Sequence, residues 1–183
     1  MIEIKELTVK FGNKTVFSNY HAMIPDKGIV LISGTSGIGK TTLLRVLCGL
    51  QKPDSGSITG LENRKIAVVF QEPRLLNHMT ALENVAIVSD KDTAKRILCE
   101  LNMENELHVK AGKLSGGQKQ RVSLARAFAF SNDIVLLDEP FTGLDEQNKQ
   151  KAAQLVSSAK LAVVVSHDNA DAEMLFIREK IQL

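Results

Sequence analysis

The chain has 183 residues, 44% of them hydrophobic and 24% charged, with a formal net charge of +2. That is ordinary usage for one globular domain; it excludes a disordered chain, and the charge is too small for a surface that binds nucleic acid or anionic lipid by electrostatics. No apolar run approaches the roughly 20 residues of a membrane-crossing helix, the start Met1-Ile2-Glu3-Ile4-Lys5 lacks the order of a signal peptide, and Cys48 and Cys99 stand in no metal-type spacing and read as reduced, packed thiols of a cytosolic protein.

Along the chain, residues 2–9 roughly alternate apolar and polar, which predicts a half-buried strand, and a second short strand is expected over 15–19. Gly28-Ile29-Val30-Leu31-Ile32 is an apolar run that ends in a glycine-rich loop. A helix is expected over 41–50, with Leu43, Leu44, Val46, Leu47 and Leu50 inward, and Lys52-Pro53-Asp54-Ser55-Gly56 is a turn cluster. Residues 66–70, 134–137 and 161–165 are continuous Val/Ile/Leu-rich runs, the pattern of strands covered on both faces, and hence of a parallel sheet flanked by helices. Between them, 80–111 reads as helical. Thr80 and Glu83 form a capping box, and Ala94, Ile97, Leu98 and Leu101 line one helix face after a cap at Asp92.

Gly34-Thr35-Ser36-Gly37-Ile38-Gly39-Lys40-Thr41, followed by Thr42, matches G-x-x-x-x-G-K-[ST] between an expected strand and an expected helix. Glycines let backbone N–H groups curl around phosphate oxygens, and the helix start adds free donors. Lys40 is a compact charge for β- and γ-phosphates, and the Thr41 hydroxyl is a Mg²⁺ ligand. The plain alternative is a glycine-rich turn; the four fixed positions would match by chance in under ~1% of chains this long.

Leu114-Ser115-Gly116-Gly117-Gln118 is more selective still, with chance matches on the order of 10⁻⁴. Ser115 and Gln118 also read as a capping box that opens a helix over 120–130. Both readings hold together, because two glycines at a helix start leave N–H groups open to an anion.

On these motifs the sequence resembles the ABC ATPase family, and the likeness extends over nearly the whole chain. The resemblance implies an α/β P-loop NTPase fold: a mainly parallel sheet flanked by helices, a small N-terminal antiparallel β group and a short helical subdomain. It implies one domain, 1–183, with 1–70 and 114–183 as the ATP-binding core and about 71–113 as the helical part. ATP and Mg²⁺ are the implied cofactors. Ser115, Gly116, Gly117 and Gln118 are implied to meet the γ-phosphate of ATP held by a second copy of the chain.

Further site residues follow. Asp138 and Glu139 end the apolar run 134–137. Asp138 suits Mg²⁺, and Glu139 suits orientation and deprotonation of the attacking water, although an acid pair at a strand end is often only solvated. Gln71 resembles the family's glutamine that touches Mg²⁺ and links to the membrane subunit. His167 resembles the histidine that contacts the γ-phosphate, against the alternative of a structural hydrogen-bonder. Gly143-Leu144-Asp145 resembles the loop that crosses the dimer interface, and Asp145 also reads as a helix N-cap. Phe11 falls where the family stacks an aromatic ring on adenine; a core Phe is the competing reading.

Val69-Phe70-Gln71-Glu72-Pro73-Arg74-Leu75-Leu76 and Met79-Thr80-Ala81-Leu82-Glu83-Asn84-Val85 resemble the importer branch for nitrate, aliphatic sulfonates, taurine and thiamine precursors, and Asp138-Glu139-Pro140-Phe141 resembles importers rather than exporters, which often carry Thr after that proline. The segment between Gln71 and Ser115 is shorter than in typical importers, and the chain stops at Leu183, which reads as a minimal ATPase. The implied partners are ATP, a second copy and membrane permease subunits, with an extracytoplasmic binding protein as an option through the permease and no nucleic acid. The implied place is the cytoplasmic face of the membrane. Rival readings are an exporter ATPase, a soluble ABC protein acting on ribosomes or DNA, and a P-loop kinase, which would not need residues 114–118.

Overall fold

The computed structural model describes residues 1–167 and 169–183, and the side chains of Asn169, Ala170 and Ala172 are also outside the described set. The N-terminal alternation forms β1 (Ile2–Phe11), which pairs antiparallel with β2 (Lys14–Ile24) and with a later strand, β4 (Ser55–Thr59). The inward residues of β1 change parity: Ile2 and Ile4 are buried, then Leu7 and Val9. The register shifts between Ile4 and Leu7, where Glu6 adopts φ 52°. This bulge re-phases the strand so that both halves keep an apolar side inward.

The second sheet is wholly parallel. Its strands are β3 (Gly28–Ser33), β5 (Ile66–Val69), β6 (Ile134–Asp138), β7 (Leu161–Val165) and β8 (Ile177–Gln182), in the order β5-β6-β7-β3-β8. Every residue of β6 and β7 is buried, as continuous apolar runs require when both faces are covered. The period of two then divides the core. Ile134, Leu136, Val163 and Val165 pack with α1 (Lys40–Leu47) and the antiparallel sheet. Val135, Leu137, Ala162 and Val164 pack on the other face with α2 (Ala81–Ala86), α3 (Lys91–Glu100), α4 (Gly116–Phe130) and α5 (Glu146–Ser157). A short helix, α6 (Asn169–Met174), joins β7 to β8.

Several expectations need correction. The first helix ends at Leu47, and Leu50 is exposed rather than inward. Gly49 takes φ 73°, Leu50 N donates to Arg45 O and Gly49 N to Val46 O, a Schellman close that turns the chain outward. The cap of α3 is Asp90, whose carboxylate accepts from Thr93 N, and Asp92 lies in the first turn. The short strand expected over 15–19 extends from Lys14 to Ile24, and β4 and β8 were unforeseen. The capping boxes at Thr80 and Ser115 form as expected, and α4 starts at Gly116. Among the described residues, no helix is long and apolar enough to cross a membrane.

Candidate nucleotide site

The parallel strands β3, β6 and β7 deliver their C-terminal ends to one cleft of about 590 Å³. It is lined by Gly34 to Gly37, Gly39 to Thr42, Gln71, Asp138, Glu139 and His167. Such a crevice at strand ends is where open α/β sheets bind ligands. Gly39 caps α1 at φ 122°, and a Cβ there would lie 2.6 Å from Val16 and 2.9 Å from Phe17. Only glycine lets the loop turn into the helix against β2.

Functional groups meet in pairs inside the cleft. Lys40 Nζ donates to Gly34 O at 2.7 Å and Thr35 O at 3.0 Å, so the ammonium is drawn back over its own loop. Thr41 Oγ1 donates to Asp138 Oδ2 at 2.6 Å, which joins the start of α1 to the end of β6. Glu139 is buried, and its Oε1 lies 2.7 Å from Nδ1 of the exposed His167.

Glu139 carries a signal that the sequence reading missed. Its φ is 52°, a left-handed conformation that costs a non-glycine residue of order 1–3 kcal/mol. Its N–H donates to Val165 O at 2.9 Å, which holds the turn in place. The backbone thus leaves the strand abruptly and swings the carboxylate toward the loop. Strain held in this way is characteristic of working sites.

Two groups of predicted residues stay outside the cleft. Phe11 ends β1 and is 45% exposed, so the core alternative fails; it is not among the cleft's lining residues, and neither is Ile38. Ser115, Gly116, Gly117 and Gln118 open α4 elsewhere on the chain. Gln118 N donates to Ser115 Oγ at 3.3 Å, Ser115 N donates to Gln118 Oε1 at 2.9 Å, and Gln118 Nε2 donates to Glu106 Oε1 at 3.1 Å. A Cβ on Gly117 would fall 2.5 Å from Gly143 O, so the glycine is required by close approach. Asp145 caps α5, accepting from Asn148 N at 2.9 Å and from Asn148 Nδ2 at 2.8 Å, and these hydrogen bonds hold its carboxyl below the ordinary range. Behind this corner, Gln120 Nε2 donates to Pro140 O at 3.1 Å, next to Glu139. Gln120 is a link that no motif flagged.

A strand–glycine loop–helix with its lysine, a second strand ending in paired acids, and a strained carboxylate against histidine define a P-loop nucleotide hydrolase. The ABC transporter family model matches residues 17–142. The chain is 39% identical over 184 residues to the aliphatic sulfonates import ATP-binding protein SsuB 3 of Rhodococcus jostii (strain RHA1), covering 95% of this chain and 68% of that one. It is 36% identical to the spermidine/putrescine import ATP-binding protein PotA of Pasteurella multocida (strain Pm70), but spans only 53% of that relative's length. In structure it resembles the ATP-binding cassette MJ0796, solved as a dimer in a post-hydrolysis state bound to ADP and Pi, with a TM-score of 0.88 and 31% identity over 100% of this chain and 94% of that one. The chain belongs to the ABC transporter family, as its ATP-hydrolysing cassette.

Proposed function

We propose that this chain powers a small-solute importer by hydrolysing Mg²⁺-bound ATP in two sites, each shared between two copies, beneath a separate membrane permease on the cytoplasmic face. The observation that carries the proposal is the separation just described. Lys40, Thr41, Asp138, Glu139 and His167 converge on one cleft, whereas Ser115 and Gly116 are exposed at a helix start elsewhere in the same chain. The dimeric form of the MJ0796 cassette supports the pairing.

In this reading Lys40 leaves its loop carbonyls for the β- and γ-phosphates, and the backbone N–H groups of 34–42 cradle them. The hard oxygens of Thr41 and Asp138 suit Mg²⁺, with Gln71 beside them in the cleft. A cation held by this hydroxyl and carboxylate would complete its shell with phosphate oxygens and water, the usual manner of Mg²⁺ at nucleotide sites. Mg²⁺ would neutralise charge on the phosphates. Glu139 takes the proton of the attacking water, and His167 holds that carboxylate and reaches toward the γ-phosphate. Ser115, Gly116, Gly117 and Gln118 complete the partner's site with the N–H groups of a helix start. Gln71 and the helical segment of about 71–113 face the permease, and cargo follows from the permease and from any extracytoplasmic binding protein. A small-solute cargo is in keeping with relatives named as aliphatic sulfonates import ATP-binding proteins.

The test is size-exclusion chromatography of Glu139→Gln with and without Mg²⁺ and ATP. A monomer that becomes a stable dimer only with ATP is expected. A protein that binds ATP yet stays monomeric at every concentration would overturn the shared-site reading.

A further inference from the structure

Three helix ends meet at one asparagine. Asn148 lies in the first turn of α5, three residues after the cap Asp145. Its Oδ1 accepts from Arg121 Nη1 at 3.1 Å and from Asn102 Nδ2 at 3.2 Å, and its Nδ2 donates to Asp145 Oδ2 at 2.8 Å. Arg121 stands one helical turn after Gly117, on the same side of α4. Its Nη1 also donates to Leu101 O at 2.8 Å and Asn102 O at 2.7 Å, the carbonyls at the end of α3.

Arg121 is only 9% exposed, and its Nε is buried without a hydrogen-bond partner. An unpaired buried donor destabilises the fold and calls for an explanation. The Arg121 guanidinium ties the second turn of α4 to the first turn of α5. Just before those turns, Gly117 closely approaches Gly143 O.

We propose that Asn148, backed by Arg121, is a positioning residue that locks the loop Gly143-Leu144-Asp145 to the glycine helix start, so that both are offered to the partner copy as one rigid surface. This rests on the shared-site reading above. Asn148 touches neither the phosphate loop nor Glu139. Its loss should therefore damage what the chain does for its partner's ATP and spare what it does for its own.

Asn148→Asp separates positioning from folding. The new carboxylate still accepts from Arg121 and Asn102, but it cannot donate to Asp145 and repels it. ATP affinity and melting temperature should stay near wild type, while ATP-dependent dimerisation and turnover fall about tenfold, the size of one lost hydrogen bond to a charged group. Asn148→Ala should share the defect with some loss of melting temperature. The decisive step mixes Asn148→Asp with Lys40→Ala. One site of the mixed dimer joins an intact phosphate loop to an intact partner surface, so turnover should rise above that of either variant alone. Normal dimerisation and turnover in Asn148→Asp would overturn the proposal. So would parallel loss of ATP binding and melting temperature in both variants, or no recovery on mixing while Ser115→Arg with Lys40→Ala recovers. If neither mixture recovers, the shared-site reading itself fails, and this proposal with it.

Discussion

The cleft around Lys40 and the corner around Gly117 are built on opposite plans. In the cleft, the polar groups satisfy one another: Lys40 with loop carbonyls, Thr41 with Asp138, His167 with Glu139. In the corner, the bonds lie behind the surface, through Gln118, Gln120, Arg121 and Asn148, and the front is left exposed at Ser115 and Gly116. A cleft whose groups pair internally can exchange those pairs for phosphate and cation within one chain. A corner stiffened from behind presents Ser115 and Gly116 to whatever lies outside the chain. On the proposed function the two regions are complementary halves, and substitutions in each should fail differently.

The largest effect is expected at Glu139. Glu139→Gln keeps the shape but loses the base, so hydrolysis should fall at least about a hundredfold while ATP stays bound. Near-normal turnover in a phosphate-release assay would move the base role elsewhere, to His167 first. Lys40→Ala acts earlier. Losing charged hydrogen bonds of about 1.5–3 kcal/mol each should weaken ATP binding roughly tenfold or more by titration. Gly117→Ala sharpens the contrast, because its Cβ would meet Gly143 O at 2.5 Å and force the corner apart. Overpacking of this kind costs about 1–3 kcal/mol, enough to lower turnover roughly tenfold, with ATP affinity unchanged. A matching loss of ATP affinity would mean that the corner and the cleft are not separable.

The smallest effect lies far from both regions. Asp133 accepts from Arg64 at 2.9 Å and pairs with Lys160 at 3.2 Å, and these partners, Arg64 foremost, hold its carboxyl down at about 2. Folding favours the ionised form, so this stabilisation is present in full above the ordinary carboxylate range near about 4 and is lost as pH falls through about 2. The pair is partly solvent-exposed, so Arg64→Ala should cost about 1 kcal/mol or less at neutral pH, and the difference from wild type should vanish in acid melts.

Much of the architecture was legible because the buried runs at 134–137 and 161–165 are covered on both faces and admit little but parallel strands. The phosphate loop and the helix start at 114–118 were legible because fixed residue types at fixed spacing are demanded by phosphate. Other features were hidden for physical reasons. Strand β8 reads Ile-Arg-Glu-Lys-Ile-Gln and is mostly exposed at the sheet edge, so it carries no apolar run. Asp90 and Asp92 are chemically equal caps, and only the position of Thr93 N decides between them. The positive φ of Glu139 is invisible in a residue type that rarely adopts it. Gln120, Arg121 and Asn148 act across long sequence separations, where no local pattern signals contact.

The central claim, that each ATP is worked on by the cleft of one copy and the corner of the other, is tested most directly by mixing Lys40→Ala chains with Ser115→Arg chains. Each homodimer has two broken sites. The mixed dimer gathers both lesions into one site and leaves the other whole. ATP-dependent dimerisation and turnover should reappear on mixing, to a level limited by any need for two working sites. If mixing restores neither, while wild-type turnover per chain stays constant through dilution to monomers, each chain hydrolyses ATP alone and the segment 114–118 only caps a helix.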